Sequence, residues 1–147
     1  MNLLFADDNA TIRRLMQHCL APESVNVTLA TNAEEVEALS QHHPFDLIIL
    51  DHHMPPSPFG GMVALKHLKQ QCSDTPVILI SAYVTRKDIS LAQRHGASAY
   101  IAKEVLAFPP VLKPLLSQDW LTLQQLQDNK SLWAFPENVT KPLSFVL

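Results

Sequence analysis

The sequence predicts an α/β fold in which a parallel sheet is covered by helices on both faces. Two observations carry this. Strand-like and helix-like segments alternate five times between residue 1 and about residue 117, and three of the strands are continuous apolar runs. Such runs mark strands buried on both sides, which is the environment of a parallel sheet wrapped by its crossover helices. A third observation is chemical: the runs end in carboxylate, hydroxyl or ammonium side chains, and parallel strands bring those ends to one rim.

Leu3–Ala6 reads as the first buried strand, running straight into Asp7-Asp8. In the segment Ala10–Leu20, residues Ile12, Leu15, Met16, Cys19 and Leu20 recur at helical spacing until Ala21-Pro22 stops them. Val25, Val27 and Leu29 alternate with polar residues as a half-exposed strand, and Thr31 or Asn32 is positioned to cap a helix with Val36 and Leu39 on its face. Leu47–Leu50 is a fully buried strand that ends at Asp51. After it, a loop containing Pro55, Pro56, Pro58, Gly60 and Gly61 leads to a helix carrying Met62, Leu65 and Leu68. Val77–Ile80 is the next buried strand, followed by Ser81. Residues Arg86–His95 form a helix closed by Gly96, and Tyr100-Ile101-Ala102 is a short last strand that ends at Lys103. Val111–Leu116 provides a final helix after Pro109-Pro110.

Composition bounds the class. The chain has 147 residues, of which 47% are hydrophobic and 17% charged, as expected of one globular domain. A formal charge of −3 without any Lys/Arg cluster argues against direct nucleic-acid binding. No apolar run approaches the roughly 20 residues of a membrane span. Cys19 and Cys72 lack CxxC spacing and read as reduced core thiols of a soluble, cytoplasmic protein, with a disulfide as the minor reading.

Asp7, Asp8 and Asp51 at one rim would repel each other, and a divalent cation relieves that repulsion. All-oxygen ligands with room for water favour Mg²⁺ over zinc or copper. A carboxylate is also a competent nucleophile toward a phosphoryl group, whose oxygens need neutralising by a cation, an ammonium and a hydroxyl. Asp51, Mg²⁺, Lys103 and Ser81 would supply those parts.

In these residues the chain resembles the receiver domain of two-component response regulators. The resemblance rests on Asp7-Asp8 after the first strand, Asp51-x-x-Met54-Pro55 after the third, Ser81-Ala82 after the fourth and Tyr100-x-x-Lys103 around the fifth. It implies a five-stranded, doubly wound parallel sheet of the flavodoxin/CheY-like kind, with residues 1–117 as the receiver and 118–147 as a C-terminal extension. It further implies that Asp51 accepts a phosphoryl group from a sensor histidine kinase or a phosphotransfer protein. Asp8 would ligate Mg²⁺ directly, Asp7 through water, and the backbone carbonyl of His53 would complete the protein ligands. Lys103 would pair with the phosphoryl group, Ser81 would hydrogen-bond it, and small Ala82 would leave access. The Tyr100 ring would rotate inward behind Ser81, changing a surface read by a downstream protein target or a homodimer. Such a receiver is a signalling module that catalyses its own phosphorylation and slow hydrolysis. The alternative is a pseudo-receiver, an interaction scaffold that does not use phosphorylation.

Three departures stand out. Glu104 follows Lys103 where many receivers have Pro, as in receivers joined to LuxR-type DNA-binding domains. The loop Pro56-Ser57-Pro58-Phe59-Gly60-Gly61 is longer than usual after Met-Pro. His52 and His53 beside Asp51 are unusual, and are expected to be solvated loop imidazoles. His42-His43 reads as a polar helix end, and His18, His67 and His95 form no ligand pattern. A haloacid-dehalogenase-like phosphatase would need an Asp where His53 stands. A flavodoxin-like protein would need a Ser/Thr-rich phosphate loop where Asp7-Asp8-Asn9 would repel an anion.

Beyond residue 117, one short helix around Trp120–Gln127 is expected and the remainder has no clear period. Three uses stay open for it. The segment packs on the receiver as an extra helix and arm, forms a partner or dimer surface, or leads into further chain.

Overall fold

The predicted apolar runs become strands because an apolar stretch of four or five residues without helical spacing buries best when both its faces are covered. In the computed structural model, which describes residues 1–55, 57, 60–71, 74–127 and 131–139, they are β1 (Asn2–Ala6), β2 (Asn26–Ala30), β3 (Leu47–Asp51), β4 (Val77–Ser81) and β5 (Ala99–Ala102). All four pairings among them are parallel, in the order β2-β1-β3-β4-β5. The sheet carries one strand more than expected. β6 (Leu132–Ala134) pairs antiparallel with β5, so among the described residues the sheet has six strands, and it is parallel only as far as β5.

Alternation along the strands divides the core into two layers. Leu3, Phe5, Leu47, Ile49, Ile78 and Ile80 face α1 (Ala10–Leu20) and α6 (Pro109–Leu116), where Met16, Leu20, Leu112 and Leu115 cover them. Leu4, Ile48, Leu50, Leu79 and Tyr100 face the other way. There α2 (Ala33–His42), α3 (Gly60–Gln71) and α4 (Arg86–Arg94) supply Val36, Leu65, Leu68 and Ala92. At roughly 1.5–3 kcal/mol for each fully buried Leu or Ile, these layers are the main favourable term in the fold. Leu15, predicted on the apolar face of α1, is instead 48% exposed at its margin.

Helix starts follow local chemistry. The side chains of Asn9, Asn32 and Thr85 accept hydrogen bonds from backbone N–H groups in the first turns of α1, α2 and α4. Gly96 adopts φ +98° just past α4, where a residue with a Cβ would be strained. A one-turn helix, α5 (Lys103–Leu106), leaves β5 and precedes α6.

The C-terminal segment builds onto this frame. α7 (Trp120–Gln125) is capped by Asp119 and buries Leu123 in the α1/α6 layer. In β6, Leu132 and Ala134 join the same layer, while Phe135, just past it, enters the opposite one, the cluster that holds Tyr100. Phe135 N donates to Ser98 O and Ala102 N donates to Ser131 O, both at 2.8 Å, closing the ends of the pairing. Asn138 Nδ2 donates to Gln93 O and Ala97 O at 2.8 Å, fastening the end of the segment to the end of α4. The β5 edge, which would otherwise expose unpaired backbone groups, is thereby covered by the chain's own residues.

Cys19 is a half-buried free thiol. Cys72, Pro56, Pro58, Phe59, Phe145, Val146 and Leu147 lie outside the described residues. Among the described residues, no helix is long and apolar enough to cross a membrane.

Candidate functional site

The rim at the C-terminal ends of the strands collects the predicted polar residues. Asp7 and Asp8 follow β1 directly, and Asp51 is the last residue of β3. Asp7 and Asp51 are buried and Asp8 is exposed, yet the three offer carboxylate oxygens that all lie within 4.8 Å of one another. The turn after β1 is set by Asp7, whose Oδ1 accepts from Asn9 N at 2.9 Å. Its carbonyl accepts from Arg13 Nη1 at 2.7 Å.

Lys103 enters from the first position of α5. Its Nζ lies 2.9 Å from Asp7 Oδ2 and 3.1 Å from Asp51 Oδ2. One ammonium thus sits between the Asp7 and Asp51 carboxylates, and the balance shows in the acidities of Asp51 and Lys103. Burial, then the charge of Asp7, raises the Asp51 carboxyl to about 6, while Lys103 pulls it down. Burial works to lower the Lys103 ammonium. The close contact with Asp7 and the charge of Asp51 overcome it and hold Lys103 above its ordinary value.

The donor set suits a hard cation. It is all oxygen, it is open to water through exposed Asp8, and buried Asp7 Oδ2 has the Lys103 ammonium beside it. Such a cation would complete the charge compensation that Lys103 begins.

The remaining predicted residues lie on the same rim. Ser81 ends β4, buried, and its Oγ donates to Tyr83 O at 2.6 Å while accepting from Tyr83 N at 3.1 Å. Ala82 beside it is exposed. His53 is exposed in the turn after β3, and its N donates to Asp51 Oδ1 at 3.3 Å.

His52 departs from expectation. Predicted as a solvated loop imidazole, it is 1% exposed, with Nδ1 2.5 Å from the Tyr100 hydroxyl. The reason is alternation: the residue after Asp51 turns to the opposite face of the sheet, where Tyr100 is fully buried. Burial, and next the charge of His53, holds the His52 imidazolium below the usual histidine range, so the ring is neutral near pH 7. Burial likewise raises the Tyr100 phenol, opposed by its hydrogen bond with Ser81. His53 stacks on His52, ring centroids 4.4 Å apart.

Gly60 and Gly61, expected in the loop, instead begin α3 against the turn after β3. A Cβ on Gly61 would come 2.1 Å from Asp51 O, and one on Gly60 2.0 Å from Met54 O. Gly61 N donates to His52 O at 3.0 Å across that approach. The signal for His52 was present in the strand alternation; for the glycines only the paired Gly hinted at close packing.

Comparison with known proteins agrees with this geometry. The family model of the response regulator receiver domain matches residues 3–108. The sensory/regulatory protein RpfC of Xanthomonas campestris is 37% identical over 114 residues, covering 73% of this chain and 15% of that protein. The oxygen regulatory protein NreC of Staphylococcus carnosus is 30% identical over 106 residues, covering 70% of this chain and 48% of that protein. The chain therefore spans less than half the length of these curated relatives. Among solved structures, a CheY-like receiver domain protein from Methanospirillum hungatei superposes with a TM-score of 0.74 at 22% identity, which shows the fold alone; the match covers 84% of this chain and 97% of that one. The CheX-CheY-BeF3-Mg complex from Borrelia burgdorferi gives a TM-score of 0.71 at 25% identity, covering 81% of this chain and 89% of the matched one.

Proposed function

The chain belongs to the response regulator receiver domain family of two-component systems, and on that premise we propose that it accepts a phosphoryl group on Asp51. Residues 1–117 act as the receiver and residues 118–147 as its extension. The donor is the phosphohistidine of a sensor histidine kinase or phosphotransfer protein. The observation that carries the reading is the placement of Asp51 at a strand end within the carboxylate cluster, with Lys103 Nζ 3.1 Å from its Oδ2.

In the reaction, an Asp51 carboxylate oxygen forms a bond to phosphorus as the phosphorus–nitrogen bond of the donor breaks. The electron pair of that bond returns to the donor imidazole. Asp7, Asp8, Asp51 and the backbone carbonyl of His53 would hold Mg²⁺, which would supply positive charge to neutralise phosphoryl oxygens. Lys103 keeps its proton and pairs with a phosphoryl oxygen, easing apart from Asp51 as the carboxylate becomes an acyl phosphate. Ser81 Oγ gives up its bond to Tyr83 O to donate to the phosphoryl group, and exposed Ala82 leaves the approach open. Hydrolysis of the acyl phosphate by water resets the site slowly, so turnover is secondary to signalling. The readout is a protein surface, engaged by a downstream target or a second copy. A phosphorylation-independent scaffold would have no need of Asp7, Asp8, Asp51, Ser81 and Lys103 together.

The test is phosphoryl labelling of the full chain by acetyl phosphate with Mg²⁺. Wild type takes up label and Asp51→Ala does not. Folded wild type that remains unlabelled, or an Asp51→Ala chain that labels equally, contradicts the proposal.

A further inference from the structure

His52 follows Asp51 directly, yet the phosphoryl chemistry makes no use of its side chain. Its backbone is fastened on both sides: N donates to Ile80 O at 2.8 Å, and O accepts from Gly61 N at 3.0 Å. Its ring is buried against Tyr100 edge to face, with centroids 5.8 Å apart and planes at 70°, and Nδ1 lies 2.5 Å from the Tyr100 hydroxyl. Both groups are polar and both are removed from water, so the hydrogen bond between them has a large cost of being broken. Tyr100 is held equally firmly. Its backbone is in register with Leu79 of β4 and Trp133 of β6, and its ring shares an apolar cluster with Phe135 and Trp133. Ser81 exchanges hydrogen bonds with Tyr83 as donor and acceptor and also reaches the Tyr100 hydroxyl, so His52 and Ser81 both face the inward ring's polar end.

We propose that His52 is a positioning residue that holds the Tyr100 ring inward through Nδ1 before any phosphoryl group arrives. The inward ring is then the resting state of this chain. The Asp51–His52 peptide becomes the direct connection from the acceptor carboxylate to β5 and, through the Tyr100–Trp133 pairing, to β6. The restraint itself needs no phosphoryl group; its role as a connection rests on the reading of Asp51 as acceptor. Movement of the β3 end on phosphorylation would be passed to β5 through this bond, without requiring a rotation of the ring.

The experiment is fluorine NMR of the full chain labelled with 3-fluorotyrosine. The chain has two tyrosines, so Tyr83→Phe assigns the Tyr100 line. In wild type, Tyr100 gives a single buried line with and without beryllofluoride and Mg²⁺. In His52→Phe, which keeps apolar volume and removes the bond, a second Tyr100 line appears and the inward population falls about fivefold, the usual net worth of one hydrogen bond. His52→Gln, whose amide can still reach the hydroxyl, keeps one line. Two Tyr100 lines in unliganded wild type overturn the proposal without recourse to any variant, as does a folded His52→Phe chain whose Tyr100 line matches wild type. Acetyl phosphate labelling of the same samples separates the two readings. A single Tyr100 line in a chain that cannot be labelled removes the acceptor role and leaves the restraint. Two lines in a chain that labels normally does the reverse.

Discussion

Asp51 and His52 are adjacent in sequence and serve opposite faces of one sheet. The Asp51 side is charged: Asp7 and Asp51 meet Lys103, and exposed Asp8 opens the carboxylate cluster to water. The His52 side is buried: His52 Nδ1 meets the Tyr100 hydroxyl, and Phe135 from the C-terminal segment joins the same apolar cluster as Tyr100. The difference shows that one strand end can serve two faces of unlike character, a charged rim and a buried layer. Excess negative charge on one face is stabilised only by something added from solution, which makes that face responsive. On the other face, packing and the contact between His52 Nδ1 and the Tyr100 hydroxyl tie the end of β3 to β5.

Perturbing one side at a time breaks or sharpens this contrast. The largest effect is expected at the buried side: Phe135→Ala empties a buried site in the cluster that holds Tyr100 and costs about 3 kcal/mol in urea unfolding. Asp51 labelling by acetyl phosphate should persist in the folded fraction. Gly61→Ala acts on both sides together, since its Cβ would sit 2.1 Å from Asp51 O. Backbone must shift, and a loss of about 2–3 kcal/mol is expected, with slower labelling as well.

Asp51→Asn acts on the charged side alone and has the opposite sign. The folded-state carboxyl titrates near 6 against 3.8 in the unfolded chain, so the folded chain binds that proton more tightly. The stability this contributes is present below pH 4 and is lost as pH rises through about 6. Without divalent cation at pH 7, Asp51→Asn should therefore be more stable than wild type by on the order of 2 kcal/mol. The advantage should shrink toward pH 4, and Mg²⁺ should reduce it at pH 7. The smallest effect is expected from Asn138→Ala, which removes the hydrogen bonds to Gln93 O and Ala97 O. A loss of about 1 kcal/mol is expected, seen as faster amide exchange in β6 with the charged side unchanged.

The charged side was legible in the sequence because apolar runs that end in Asp7, Asp51, Ser81 and Lys103 mark both the strands and the rim. Asn32 and Gly96 were legible as helix boundaries because capping is local chemistry. His52 was misjudged through weight given to its polarity; the alternation that continues past Asp51 is the stronger constraint. β6 was not legible. Leu132-Trp133-Ala134 is too short to show a period, and it forms a strand only because β5 offers an edge more than thirty residues earlier in the chain. The close approach of Gly60 and Gly61 to the turn after β3 is a tertiary contact of the same kind.

The central claim is that the carboxylate cluster and Asp51 together form a cation-dependent phosphoryl site. Native mass measurement with beryllofluoride and Mg²⁺ tests it most directly. The account predicts that wild type gains one beryllofluoride and one Mg²⁺, that neither binds stably without the other, and that Asp51→Ala gains no beryllofluoride. A folded wild-type chain that gains no adduct, or an Asp51→Ala chain that gains the same one, would contradict it.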